Sequence, residues 1–191
     1  MKSWMRYSLM AAVGLICGAG FAVHTVRAGA LGSGQAIGPW QTGTDFGTAE
    51  AGARTRAIVA LNGLLALPAR EARYYTASED SAGHSLDGRC SYKVTGGPLP
   101  GRWWSLTLYD DAGYLAPNSA GIYSVEGAEL KPSERSRWTI EVSPQHQAGH
   151  WLPTGGLAQV ALTLRTYLPP NEGRTNPAQG TLPLITKEHC A

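Results

Sequence analysis

The sequence has 191 residues, a length that fits one domain with an appendage. Its 24 glycines and 12 prolines, with charged residues at 16%, favour strands and turns over surface helices. The formal net charge is +2, but Lys2, Arg6 and Arg27 flank an N-terminal apolar run, and without them 13 basic residues face 14 acidic ones. The rest of the chain is close to neutral and has no lysine- or arginine-rich run, which excludes nucleic-acid binding.

The apolar run over residues 7–26 is long enough to cross a membrane, because about 20 helical residues span roughly 30 Å of hydrocarbon. Positive charge before the run favours an N-terminus inside the cell. Since the run is longer than the usual core of a signal peptide, we predict a single-pass anchor over residues 1–28 in a bacterial inner membrane, with the globular part in the periplasm. Small residues around Ala28 and Ala30 leave a cleaved periplasmic product as the alternative.

The segment after the anchor, residues 29–47, is rich in glycine and its apolar residues show no helical or strand spacing, which predicts a linker. Residues 48–67 have apolar side chains at helical spacing and end before Pro68, which predicts a helix. We expect this helix to cover one face or end of a sheet, within a β-rich domain over residues 48–191.

Short segments of alternating polarity, separated by turn residues, follow the helix. Two of them, 102–110 and 157–167, place leucines on an inward face and polar or aromatic residues on the outward face. The predicted strands are 71–77, 90–95, 102–110, 121–125, 138–143 and 157–167. The tail after Pro170 is predicted to be loop. Six short strands with turns between them predict a mainly β fold, an antiparallel sandwich or jelly roll.

Four motifs follow one another in this part of the chain: WWSLTLYD at 103–110, GYLAPN at 113–118, WLP at 151–153 and LTLRTY at 162–167. Their order resembles that of a bacterial family known as domain of unknown function 1214. The resemblance covers roughly residues 54–170, with His150 standing where the family usually has asparagine. It implies a jelly-roll-like β domain. In many members this domain follows, or is encoded beside, a second domain numbered 1254, so we expect this short, membrane-anchored form to have a 1254-type companion protein.

Aromatic and cationic residues on the outward face give a candidate ligand site. Arg165, with Tyr109 and Tyr167, is suited to hold an anionic or sugar-like ligand through its planar guanidinium and ring stacking. Trp103 and Trp151 are the tryptophans that we expect to contact a ligand. The alternative is an ordinary solvated sheet face with cross-strand pairs.

Two cysteines, Cys90 and Cys190, remain once Cys17 is assigned to the apolar run. An oxidising compartment permits a disulfide between them, and the bridge would fix an otherwise loose tail. The alternative is a pair of free thiols.

No motif in the sequence identifies a reaction, a cofactor or a metal. His146 and His150 have a spacing that suits zinc on a helix, but Pro144, Gly149 and Pro153 around them predict a loop. No phosphate-binding loop, dinucleotide fingerprint or nucleophile elbow occurs. We therefore expect a non-catalytic, membrane-tethered domain that binds its companion protein or a small ligand. The alternative is an envelope hydrolase or carbohydrate-active enzyme that uses the Arg165 face.

Overall fold

Two β-sheets and two α-helices form the parts of the chain that the structure, a computed structural model, describes. The described residues are 3–27, 35–43, 45, 47–61 and 66–190. The helices are α1 (Ser3–Arg27) and α2 (Ala53–Leu61), and the strands are β1 (Gln35–Ile37), β2 (Trp40–Thr42), β3 (Ala72–Ala77), β4 (Cys90–Gly96), β5 (Trp103–Asp110), β6 (Ser124–Glu126), β7 (Trp138–Ser143), β8 (Trp151–Pro153), β9 (Val160–Tyr167) and β10 (Leu184–Cys190).

One sheet has six strands in the order β1-β2-β3-β9-β5-β6, and the other has four in the order β10-β4-β7-β8. All neighbouring strands are antiparallel except β7 and β8, which run parallel. The buried apolar side chains of both sheets form one core, with Leu106 and Leu164 from the larger sheet and Val94 and Ile140 from the smaller one. The predicted fold class, mainly β in two sheets with few helices and an apolar helix before them, is confirmed.

Stacked tryptophans join the two sheets. The rings of Trp104 on β5 and Trp138 on β7 lie 4.7 Å apart and nearly parallel. The indole N–H of Trp138 donates to the carbonyl oxygen of Gly97, at 2.7 Å. A Cβ at Gly96 would collide with the Trp138 ring, and one at Gly127 would collide with Trp104, so only glycine leaves room for the stack at these two positions.

All six predicted strands are present, with ends that differ by at most three residues. The clearest example is β7, whose buried and exposed residues alternate, with Trp138, Ile140 and Val142 buried.

Four strands were not predicted. β1 and β2 form a hairpin inside the predicted linker 29–47, and β2 pairs with β3, so residues 35–42 belong to the larger sheet. β8 lies beside β7. β10 pairs with β4, so the predicted loop after Pro170 is wrong for residues 184–190. β1, β2 and β8 have three residues each, too short for a period, and only Ile185 of β10 is buried, so its pattern has no alternation.

The two helices lie before β3, and a hydrogen bond joins them. α1 is long and apolar enough over Ser3–Val26 to cross a membrane, by length and composition, and none of that stretch is buried. α2 begins at residue 53 rather than at 48, and residues 66–68 are not helical. The remaining part of the predicted helix, 62–65, lies outside the described residues. The Arg54 guanidinium on α2 donates to the carbonyl oxygen of Thr25 on α1, at 3.3 Å.

Candidate functional site

Four of the five predicted ligand-binding residues lie on one face of the larger sheet. β5 and β9 are neighbours, and Trp103 pairs with Tyr167 across them. Arg165 donates to the hydroxyl oxygens of Thr107, at 3.1 Å, and of Tyr109, at 2.7 Å. Its guanidinium lies 5.5 Å from the Tyr109 ring centre and 5.9 Å from that of Tyr74 on β3.

This face is packed rather than open. Ser105, Thr107 and Thr163 at its centre are buried, and the Trp103 and Tyr167 rings lie 4.9 Å apart in a tilted pair. Arg165 therefore stabilises the face itself through cross-strand hydrogen bonds and ring contacts. A ligand role for these residues stays a prediction.

Trp151, the fifth predicted residue, lies on β8 in the smaller sheet. It lines a groove of about 410 Å³ whose walls are residues 121–125 and 146–151, and neither Tyr109 nor Arg165 lines it. The predicted residues thus fall into two separate places. The groove was not predicted, because its walls come from two connections far apart in sequence.

Hydrogen bonds fix the side chains of the groove. The Trp151 indole N–H donates to the Ser143 carbonyl oxygen at 3.0 Å, and the His146 and Trp151 rings form a T-shaped pair with their centres 5.0 Å apart. The Nε2 of His150 lies 3.2 Å from a Glu134 carboxylate oxygen. A backbone N–H from Lys131 and the neighbouring His150 hold the pKa of the Glu134 carboxyl below its usual value, so the carboxylate stays charged.

Arg73 is a buried cation that the sequence analysis did not identify. It lies on β3 and is almost fully buried, and burial lowers its pKa. Its guanidinium donates to the Gly173 carbonyl oxygen at 2.6 Å, to Asn176 at 2.7 Å and to the Thr42 hydroxyl at 3.1 Å. Its burial was not predictable from a pattern of alternation, because β3 is buried on both faces.

The two cysteines of the β domain lie directly opposite each other on β4 and β10, with their sulfur atoms at disulfide distance. Cys17 on α1 has no cysteine partner among the described residues. Within the same part of the chain, no group of three or more histidine, cysteine, aspartate or glutamate side chains is placed to hold a metal ion. His146 and His150 lie in the irregular connection between β7 and β8.

The fold and its motifs define a two-sheet β domain preceded by an apolar helix. The family model "Protein of unknown function (DUF1214)" matches residues 71–171. This match covers more than half of the sequence, and the chain belongs to that family. The resemblance seen in the motifs is therefore confirmed, whereas the companion protein and the membrane-anchored form stay predictions. No curated protein matches the sequence.

Two solved structures are similar to this chain. The VPA0106 protein from Vibrio parahaemolyticus has 22% sequence identity and a TM-score of 0.58, over 93% of this chain and 44% of that one. At this identity the likeness shows the fold alone. An uncharacterized protein from Burkholderia cenocepacia has 21% identity and a TM-score of 0.39, over 61% of this chain and 29% of that one. The chain thus spans less than half the length of either structure.

Proposed function

We propose that this protein is a periplasmic β domain tethered to the inner membrane, and that it acts as a binding or accessory module rather than as an enzyme. The observation that carries the proposal is α1, an apolar helix whose membrane-length stretch is nowhere buried and which contacts α2 through Thr25, near its C-terminal end. Leu15, Ile16 and Phe21 on this helix are each more than two-thirds exposed. So large an exposed apolar surface is unfavourable in water and favourable in a bilayer.

The cysteine pair supports the periplasmic side of the proposal. Cys90 and Cys190 are at disulfide distance, and disulfides persist in oxidising compartments such as the bacterial periplasm. Lys2 and Arg6 precede the apolar stretch and favour an N-terminus on the cytoplasmic side. Both features support a β domain on the periplasmic side of the membrane.

The bonding of the groove residues supports binding over catalysis. A hydrolase of the common kind needs a nucleophile within reach of a base. In the described part of the chain, no hydrogen bond joins a histidine ring to a hydroxyl or a thiol. His150 is held by Glu134, and Glu129 accepts a hydrogen bond from the backbone of Glu126. These contacts fix the shape of the groove that Trp151 lines, as expected of a binding surface. The proposed protein partner, a 1254-type companion, follows from the family resemblance.

Membrane fractionation of cells that express the full chain tests the proposal. We expect the full-length protein to stay in the membrane pellet after carbonate extraction, and a protease to digest its β domain once the outer membrane is permeabilised. Chemical crosslinking of these membranes should then recover a companion protein. The matched control is the double variant Leu15→Lys and Ile16→Lys, which places charges in the middle of the span and should abolish membrane retention.

Three results would contradict parts of the proposal. A soluble periplasmic product that starts near residue 29 would remove the tether. Protection of the β domain from protease in permeabilised cells would place the domain in the cytoplasm. A chain that stays strictly monomeric in crosslinked membranes would remove the protein partner.

A further inference from the structure

We propose that the groove lined by residues 121–125 and 146–151 binds a neutral, hydroxyl-rich ligand, that is, a carbohydrate. This inference rests on the proposed binding function and names a ligand class for it. The groove volume of about 410 Å³ lies within the range of small-ligand sites. One wall contributes Tyr123, and the other contributes Trp151 and Gln147.

The aromatic side chains of the groove are suited to the apolar face of a sugar ring. The hydrogen bond from the Trp151 indole to Ser143 fixes the plane of the ring before any ligand arrives. The His146 ring forms a T-shaped contact with the same indole and restricts it further. Tyr123 is 37% exposed, so part of its surface is open to a ligand. Rings that are held in advance lose little conformational entropy on binding.

The polar side chains of the groove supply both hydrogen-bond donors and hydrogen-bond acceptors. Gln147 has an amide that donates and accepts, and Ser124 has a hydroxyl that does the same. His150 is oriented by its contact with Glu134, at 3.2 Å. Hydroxyl groups of a ligand need this mixture, because each hydroxyl both donates and accepts.

The charge and polarity of the groove disfavour anionic and purely apolar ligands. None of its lining residues is a lysine or an arginine, whereas Glu129 lines it and the ionised Glu134 lies behind His150. An anionic ligand would meet these carboxylates without a compensating cation. A purely apolar ligand would leave the amide, hydroxyl and imidazole groups unpaired. The Glu129 carboxylate accepts a hydrogen bond from the Glu126 backbone, which fixes its position without removing its charge, so a cation is the competing ligand that the lysine probe tests.

Binding is tested with the full chain in lipid nanodiscs, because sugar-based detergents would occupy the proposed site. The probes are neutral glucose and N-acetylglucosamine oligosaccharides, with a sialylated oligosaccharide, an oligolysine peptide and free glucose as comparisons. Saturation-transfer NMR and tryptophan fluorescence report binding. We expect the neutral oligosaccharides to bind, and the substitutions Tyr123→Ala and Gln147→Ala to weaken binding by about tenfold or more.

The matched control is Tyr114→Ala. Tyr114 is 73% exposed and lies outside the groove, so its removal should leave binding unchanged. Circular dichroism of each variant checks that the fold is kept. Binding of free glucose alone would indicate a free sugar as the ligand, and preference for the longer chains would indicate an envelope glycan. Either result supports the groove as a carbohydrate site.

Other results would overturn the inference. These are no binding of any neutral sugar, a preference for the sialylated or the lysine probe, or sugar binding that Tyr123→Ala and Gln147→Ala leave intact. Such results would leave the membrane tether standing, because fractionation measures it separately. Conversely, cleavage of a bound oligosaccharide, detected by mass spectrometry, would support the site and overturn the non-catalytic role.

Discussion

Arg73 connects three parts of the chain from inside the fold. It lies on β3, and its hydrogen bonds reach Thr42 on β2 and the segment that contains Gly173 and Asn176. Among the described residues its hydrogen-bond partners are neutral oxygens, and no carboxylate forms a salt bridge with it. The bonds compensate for the burial of a charge that would otherwise be costly. Tyr75 adds a cation–π contact at 5.5 Å.

We expect Arg73→Met to lower the free energy of unfolding by about 2–4 kcal/mol. The methionine keeps much of the volume but leaves the buried oxygens of Thr42 and Gly173 without their donor. Urea denaturation followed by tryptophan fluorescence measures the change. The control is Arg70→Met, because the Arg70 side chain is 64% exposed and its contact with Glu71 lies at the surface. The role assigned to Arg73 would be wrong if both variants lost the same small amount of stability.

β10 shows how an element can be part of the core with little sign of it in the sequence. Its Ile185 is fully buried, while Leu184 and the last five residues of the strand are exposed. The strand is held through its pairing with β4 and through Lys93, which contacts Glu188 at 2.5 Å. Cys190, opposite Cys90, closes its far end. One buried side chain gives no period, so only the cysteine pairing was predictable here.

Thiol labelling distinguishes a disulfide between β4 and β10 from two free thiols. In denaturant without reductant, we expect Cys17 to be the single cysteine that reacts, and all three to react after reduction. Cys190→Ser should lower stability by roughly 2–4 kcal/mol, since the bridge closes a loop of 100 residues. It should also speed hydrogen exchange in β10 more than in β9. Reaction of Cys90 and Cys190 before reduction would show that no bridge forms.

Three longer strands follow the same rule, that a visible period of polar and apolar residues makes an element predictable. β5, β7 and β9 alternate over six to eight residues and were predicted. The shared face of Trp103, Tyr109, Arg165 and Tyr167 was predictable too, because β5 and β9 are adjacent. The groove was not, because it depends on how two long connections meet, which no local pattern in the sequence specifies.

At the scale of the whole molecule, the main feature is the position of β9. It lies between β3 and β5 in the larger sheet and pairs with both. Thr76 and Thr163, which contact each other across β3 and β9, are 87 residues apart, and Thr107 and Arg165, across β5 and β9, are 58 apart. The sheet therefore cannot assemble from consecutive hairpins, and its centre depends on contacts between distant parts of the chain.

Contacts this distant make folding slow. We expect refolding from urea, with the disulfide kept intact, to take milliseconds to seconds rather than microseconds. Leu164→Ala, at the centre of β9, should slow refolding, because its pairing with Tyr75 and Leu106 must form before the sheet closes. Val125→Ala on the edge strand β6 should mainly speed unfolding. Stopped-flow fluorescence measures both rates, and a faster refolding of Leu164→Ala would contradict this order of events.

The same strand order leaves the chain prone to aggregation during folding. Until β9 pairs with them, β3 and β5 each present an unpaired strand edge, and their side chains, which are buried in the native fold, are exposed. Such edges pair readily with other chains. A partly folded chain in this state is prone to aggregate, and the domain is exposed to that risk for as long as the pairing of β9 with β3 and β5 takes.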